Sequence, residues 1–229
     1  MINKQVSNLT VALAEIENGA TVMAGGFGDA GSPNDLIHGL LECQLKGLTL
    51  IGNGVVAEDF GQGRLITAGC VVKYIASFPR GPGTTIFDAG TPTAHIELEV
   101  VPQGTLAERI RAGGAGIPGF YTGTAFGTPL AAGKETRQID GKDYVLEQAI
   151  TADVALIMAK HADRWGNLVY SKSGRNFNPI MAMGAKLTIV QVEEIVELGE
   201  LDPETIATPG IFVDRVVEVE NPTTLYGEP

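Results

Sequence analysis

Gly26-Phe27-Gly28-Asp29-Ala30-Gly31 places three glycines at the spacing G-x-G-x-x-G. Glycines so spaced let a backbone turn tightly and bring N–H groups against a phosphate or carboxylate. The run follows Thr21-Val22-Met23-Ala24, an apolar segment that reads as a buried strand. It precedes Ser32-Pro33-Asn34-Asp35, which reads as a helix start with Ser as N-cap and Pro in the first turn. Strand, glycine turn and helix form the context that a dinucleotide site requires. Such a site also needs an acid about 20 residues further on, to hold the ribose. The next strand, Leu48-Thr49-Leu50-Ile51, ends in Gly52-Asn53 with no carboxylate. A nicotinamide cofactor is therefore disfavoured. A turn whose glycines serve tight packing and a turn that approaches a ligand both remain open.

Other candidate chemistry is sparser. The run from Gly127 to Lys134 is one residue too long for a phosphate-binding loop, and Glu135 stands where a magnesium-binding Ser or Thr is needed. His38, His95 and His161 share no i, i+4 spacing and no neighbouring nucleophile pattern, so no metal site is legible. Cys43 and Cys70 are isolated and are expected to be reduced and structural.

The elements that must position these residues read as an α/β fold. Val6, Leu9, Leu13 and Ile16 fit an opening helix, and Leu36, Ile37, Leu40, Leu41 and Leu45 give the helix after Ser32 one apolar face, ending near Lys46-Gly47. Val71–Ser77, Ile96–Val101, Ala152–Met158 and Lys186–Val196 read as further buried strands. Thr105-Leu106-Ala107-Glu108 reads as a capping box opening a helix that Gly113-Gly114 ends. The alternation predicts an open, mostly parallel sheet with helices on both faces. A small hairpin excursion is expected near residues 137–146, turned by Asp140-Gly141. We expect one domain over 1–220 and a flexible tail over 221–229.

Composition excludes several classes. With 229 residues, 44% of them hydrophobic, the chain can bury a large core. A net charge of -11 with no basic run argues against nucleic acid. No apolar stretch reaches membrane-spanning length and the N-terminal residues lack a signal-peptide core, so no membrane association and a cytoplasmic location are expected.

The residues around the glycine turn carry a narrower pattern. Asn18-Gly19, the triplet Val22-Met23-Ala24, Gly25-Gly26-Phe27, Gly31 and Pro33 fill every fixed position of a signature. In these the chain resembles the A subunit of family I (3-oxoacid type) coenzyme A transferases, and the resemblance runs from about Met1 to Val219. It implies that a glutamate carboxylate attacks an acyl-CoA thioester to give an acyl anhydride, then a glutamyl-CoA thioester that passes CoA to a second carboxylate. In two-subunit members that glutamate belongs to the B subunit. No catalytic nucleophile is therefore expected in this chain, and Glu17 of Glu17-Asn18-Gly19 is expected to be a solvated helix-terminal acid.

The resemblance further implies substrate or CoA contacts from Gly25, Gly26, Phe27, Gly28 and Gly31, from Asn53 and from Gln103. An Asn pair in these transferases keeps only its first member here, since Gly54 replaces the second. Gln103 has a plainer reading as a capping group one residue before a helix start. The run Gly113-Gly114-Ala115-Gly116 reads as a loop lining the site or as a helix C-cap. The blocks Asp163–Asn167 and Arg175–Asn178 match family segments near the subunit contact, where structural roles are expected. Within the family, Ser77-Phe78-Pro79-Arg80, Asp163–Leu168 and Val196–Val217 are similar to transferases acting on 3-oxoadipate, with acetoacetate or another short 3-oxoacid as the alternative. Arg80, in the Pro79–Pro82 loop, is then a candidate reader of the acceptor's distal carboxylate, or an exposed loop arginine. The implied partners are a B subunit (α2β2), succinyl-CoA and the 3-oxoacid. CoA thioesters would act as substrates, with no permanently bound cofactor. A non-catalytic acyl-CoA-binding module is the rival reading.

Overall fold

A computed structural model describes residues 2–81 and 83–225. Its first half runs α1 (Leu9–Leu13), β1 (Thr21–Ala24), α2 (Asn34–Glu42), β2 (Leu48–Gly54), α3 (Gly61–Thr67), β3 (Val71–Phe78), β4 (Glu97–Val100) and α4 (Gln103–Gly114). Then come β5 (Gly119–Thr122), β6 (Thr136–Ile139), β7 (Lys142–Gln148), β8 (Ala152–Asp163), β9 (Leu168–Val169), α5 (Asn178–Met183), β10 (Ala185–Val196) and β11 (Arg215–Glu218).

The main sheet has the order β11-β10-β8-β1-β2-β3-β4, parallel throughout, with β9 antiparallel to β8 beside it. Its central strands are apolar at consecutive positions because both faces are covered. Val22, Ala24, Leu50, Leu156 and Ile189 pack with Leu13, Leu36, Leu40, Leu65 and Ile66 of α1, α2 and α3. Met23, Ile51, Ala155, Ile157 and Val190 pack on the opposite face with Leu106, Ile110 and Met181 of α4 and α5. The open, mostly parallel sheet with helices on both faces is thus observed.

The direction in which successive strands are added to the sheet reverses between β1 and β8. From β1 the chain moves through α2 to β2 on one side, and from β8 through α5 to β10 on the other. Helices that leave to opposite faces open a crevice at the carboxyl ends of two adjacent strands, where open α/β sheets take ligands.

The hairpin is present as β6 and β7, and both turn residues, Asp140 and Gly141, have positive φ (50° and 74°). This is the paired left-handed conformation that a two-residue hairpin needs. The expected excursion is larger than predicted, because β5 adds a third antiparallel strand.

Several boundaries shift. The opening helix spans only Leu9–Leu13, and α2 stops at Glu42, short of Lys46. Ser32 is not the N-cap of α2: Pro33 occupies that position without a side-chain cap, and Ser32 Oγ donates to Asn34 Oδ1 at 2.8 Å. Thr105 opens no capping box, because α4 begins two residues earlier and Thr105 is buried in its first turn. The terminal segment is strapped rather than frayed as far as Leu225. Thr223 donates through N and Oγ1 to the Asp35 carboxylate (3.0 and 2.6 Å), and Leu225 N donates to Asp29 Oδ2 at 2.7 Å. Residues 226–229 of the expected tail lie outside the described residues.

Candidate functional site

The glycine turn hangs between β1 and α2, at the reversal point. Its first three amides are committed inside the protein: Gly25 N donates to Leu156 O (2.9 Å), Gly26 N to Asn176 Oδ1 (3.2 Å) and Phe27 N to Ala30 O (3.1 Å). Asn178 holds the other end. Its Nδ2 donates to Gly31 O at 3.0 Å and to Gly174 O at 2.8 Å, while its Oδ1 accepts from Met158 N at 3.2 Å.

Packing explains three of the glycines without a ligand. A β-carbon on Gly25 would meet Asn178, one on Gly26 would meet Ser32, and one on Gly31 would meet the Gly174 backbone. Gly28 differs: it has φ 63° and open space where a side chain would be. The expectation that the whole turn offers its N–H groups is therefore corrected. Gly28 and Gly31 are the site glycines whose amides have no partner among the described residues. Phe27 is 53% exposed beside them.

A second group lies across the sheet edge. The sequence suggests Asn53 as the residue after a strand, but β2 continues through Gly54, and Asn53 sits inside it, 6% exposed. Its parity matches Ile51, which puts it on the α4 face. Ser77, two residues beyond Ile75 in β3, shares that face. Gln103 is the first residue of α4 rather than a residue before the helix. The three side chains meet. Gln103 Nε2 donates to Asn53 Oδ1 at 2.8 Å, and Ser77 Oγ lies 2.8 Å from the same oxygen and 3.0 Å from Asn53 O. Asn53 Nδ2 and Gln103 Oε1 have no partner among the described residues. Sequence reading missed Ser77 as a member of this group; its signal was strand parity with Ile75 and a hydroxyl at a strand's carboxyl end. Gly54 has no room for the missing second Asn, because a β-carbon there would run into Phe78 O.

The remaining expected site residues are placed elsewhere or otherwise engaged. Gly113 and Gly114 form the last turn of α4, packed against Ile150 O and Met183, so they are not loop residues. Eleven steps of helix separate Gly114 from Gln103, about 16 Å, so Ala115 and Gly116 emerge at the far end of α4 from Asn53. Arg80 lies beyond the carboxyl end of β3 with half its side chain exposed. Its Nη1 pairs with Asp88 Oδ1 at 2.9 Å, and its Nη2 donates to Phe87 O at 2.9 Å. Pro82 of its loop is outside the described residues. Glu17 is exposed and precedes β1, whereas the glycine turn follows it, so the strand's length separates them.

A cavity of about 520 Å³ opens at the reversal point, with Asp29, Gly31, Met158, Lys160, Lys172 and Glu193 among its lining. A narrow crevice beside it joins Gly28 of the turn to Gly54 of β2. Burial pushes the Tyr170 hydroxyl at the cavity wall up to about 12, so it stays protonated and bonded to Thr208 Oγ1 at 2.7 Å. Among the described residues no cluster of His, Cys, Asp and Glu could hold a metal ion, and no helix is long and apolar enough to cross a membrane.

A neutral, preorganised amide–hydroxyl group at strand ends suits the binding of a carbonyl or carboxylate oxygen. The coenzyme A transferase family model matches residues 6–219, and the chain belongs to that family. It is 55% identical to the A subunit of 3-oxoadipate CoA-transferase from Acinetobacter baylyi, over 96% of this chain and 97% of that one. It is 50% identical to the A subunit of succinyl-CoA:3-ketoacid coenzyme A transferase from Xanthomonas campestris pv. campestris, over 93% of this chain and 88% of that one. An acyl-CoA transferase structure from Escherichia coli O157:H7 superimposes with a TM-score of 0.85 at 23% identity. It covers 99% of this chain, which spans about half (49%) of the longer one. That likeness supports the fold.

Proposed function

We propose that this chain is the A subunit of a two-subunit transferase that moves CoA from succinyl-CoA to a 3-oxoacid, with 3-oxoadipate as the acceptor. The attacking glutamate belongs to the B subunit. It adds to the thioester carbonyl and expels the CoA thiolate, giving a mixed anhydride. The thiolate then attacks the glutamyl carbonyl of that anhydride, releasing succinate and leaving glutamyl-CoA, from which the acceptor carboxylate takes CoA by the reverse steps. Each attack develops negative charge on a carbonyl oxygen. Asn53 and Gln103 supply neutral donors to that oxygen, and Gly28, with Phe27 beside it, forms the wall along which the substrate lies.

The observation that carries this reading is the composition of the Asn53–Ser77–Gln103 group. It offers polar hydrogens at the carboxyl edge of the sheet and brings no carboxylate of its own. An A subunit that shapes the site while its partner supplies the nucleophile would have this composition. The 55% identity to the A subunit of a 3-oxoadipate transferase supports the choice of acceptor.

Intact-mass analysis after incubation with succinyl-CoA tests it. The chain alone is expected to exchange no CoA and gain no adduct. Mixed with a B subunit it is expected to turn over, with the CoA mass on that partner. A CoA adduct on this chain that disappears in Glu17→Gln would overturn the proposal.

A further inference from the structure

Asn53 Oδ1 receives two donors from distant parts of the chain, Ser77 Oγ and Gln103 Nε2, each at 2.8 Å. A carbonyl oxygen has two lone-pair directions; Gln103 fills one, and the other faces the Ser77 hydroxyl, whose single hydrogen is shared with Asn53 O at 3.0 Å. The two hydrogens on Asn53 Nδ2 must then point away from Ser77 and Gln103, and no described residue takes them. If the amide rotated by half a turn, Nδ2 would face the Gln103 Nε2 hydrogens, donor against donor. The freed Oδ1 would then point where a substrate oxygen is to be stabilised. Gln103 Nε2, a donor only, sets which end of the amide faces out, and Ser77 Oγ gives the amide a second point of attachment. The Ser77 backbone is fixed by the β2–β3 pairing, in which Gly52 faces Ala76 and Gly54 faces Phe78.

We propose that Ser77 is a positioning residue for CoA transfer: its hydroxyl gives the Asn53 amide a second attachment beside Gln103 and so holds the amide still, with its N–H toward the reacting carbonyl. The inference rests on the reading of Asn53 as a donor to that oxygen. An oxyanion donor matters most when charge has developed, so losing its orientation lowers kcat more than it alters KM. The hydroxyl itself makes no contact with substrate in this role, so its loss is smaller than the loss of the amide.

The test is steady-state kinetics of the assembled two-subunit complex, with succinyl-CoA as donor, for Ser77→Ala, Ser77→Thr, Ser77→Val and Asn53→Ala. Thr and Val have the same shape and differ by the hydroxyl. The expected result is a fall in kcat of about three- to tenfold for Ala and Val, little change in KM, and recovery in Thr. Asn53→Ala is expected to fall further, and adding Ser77→Ala to it should change nothing more, because the hydroxyl acts through the amide. Unchanged kcat in Asn53→Ala would remove the underlying reading of the site. A large loss in Asn53→Ala with wild-type kcat in Ser77→Ala, or equal losses in Thr and Val, would overturn the role of Ser77 alone. The isolated chain gives a readout independent of assembly. The Asn53 side-chain amide protons should be sharp in the 1H–15N spectrum of the wild type and broadened in Ser77→Ala. Equally sharp resonances in both would also overturn it.

Discussion

Asn178 occupies the space that a β-carbon on Gly25 would need, although the two residues are 153 positions apart. The same amide ties Gly31 O, Gly174 O and Met158 N together, so the start of α5 clamps both ends of the glycine turn. Asn176, two residues earlier, holds the middle through Gly26 N and Ala30 O. The glycines of the turn divide accordingly: Gly25 and Gly31 admit residues 174–178, Gly26 packs on Ser32, and Gly28 faces open space.

Substitution at the two kinds of glycine should therefore separate stability from activity. Gly25→Ala must displace Asn178 and break several of its bonds. Overpacking and lost hydrogen bonds together should cost about 2–4 kcal/mol, read from urea unfolding of the isolated chain. Gly28→Ala meets no atom and bears only the left-handed backbone, at about 1–2 kcal/mol. In the assembled enzyme Gly28→Ala should nevertheless raise KM for the CoA thioester, because its methyl group projects along the proposed substrate wall. A milder stability loss for Gly25→Ala than for Gly28→Ala would contradict this division.

Acid should weaken the tie between α4 and the edge of the sheet. Glu99 in β4 bonds Arg109 of α4 at 2.7 Å and Lys73 of β3 at 3.3 Å. Burial pushes its carboxyl up, but Arg109 and then Lys73 outweigh that and hold it below its ordinary value of 4.5. A carboxyl whose folded pKa is lowered contributes stability that is fully present above the unfolded value and is lost as pH falls through the folded one. Wild type should thus exceed Glu99→Gln in urea midpoint near pH 7, and the gap should close progressively below about pH 4.5. A gap independent of pH from 7 down to 3 would show that the charge on Glu99 is immaterial.

How much of this was legible in the sequence follows from where each signal resides. The inner strands were legible because two covered faces require unbroken apolar runs such as Val22-Met23-Ala24. The β6–β7 turn was legible because Asp140-Gly141 suits two positive φ angles. The end of β2 was not, since Gly52-Asn53-Gly54 has poor strand propensity and is held extended by its neighbours, Gly52 between Ala24 of β1 and Ala76 of β3 and Gly54 beside Phe78 of β3. Helix α3 was missed for the same kind of reason: Gly61 and Gly63 weaken its helical signal, and close packing of Gly63 on Ala57 O selects the small residue. The Asn53–Ser77–Gln103 group joins positions 24 and 50 residues apart, so nothing local announces it. The resemblance pointed to Asn53 and Gln103 individually, and only the fold shows that they touch.

Gln103 should behave as a contact to the reacting oxygen rather than as a helix cap. It forms no cap at the start of α4, where Pro102 holds the capping position without a side-chain bond. Gln103→Ala should therefore leave the urea midpoint nearly unchanged. In the assembled enzyme it removes one donor directly and frees half of the restraint on Asn53. A loss of about 1–3 kcal/mol, or roughly ten- to a hundredfold in kcat/KM, is expected. Destabilisation with normal kinetics would return Gln103 to a structural role.

Recognition of the acceptor's second carboxylate offers the sharpest test of substrate choice. A 3-oxoadipate transferase must tell a dicarboxylate from acetoacetate, and a guanidinium grips a carboxylate with two parallel bonds. Arg80 stands beyond the carboxyl end of β3, but its guanidinium is engaged with Asp88 and Phe87 O. An ion pair exposed to this extent is worth little, about 0–1 kcal/mol, so exchanging Asp88 for a substrate carboxylate is inexpensive. Two substitutions then pull in opposite directions. Arg80→Met should lower kcat/KM for 3-oxoadipate far more than for acetoacetate, because only the former is left with an unpaired carboxylate. Asp88→Asn releases the guanidinium from its competitor and should lower KM for 3-oxoadipate while leaving acetoacetate unaffected. If Arg80→Met depresses both acceptors equally or neither, and Asp88→Asn is silent, Arg80 serves only to fold its loop and the distal carboxylate is read elsewhere, including from the B subunit.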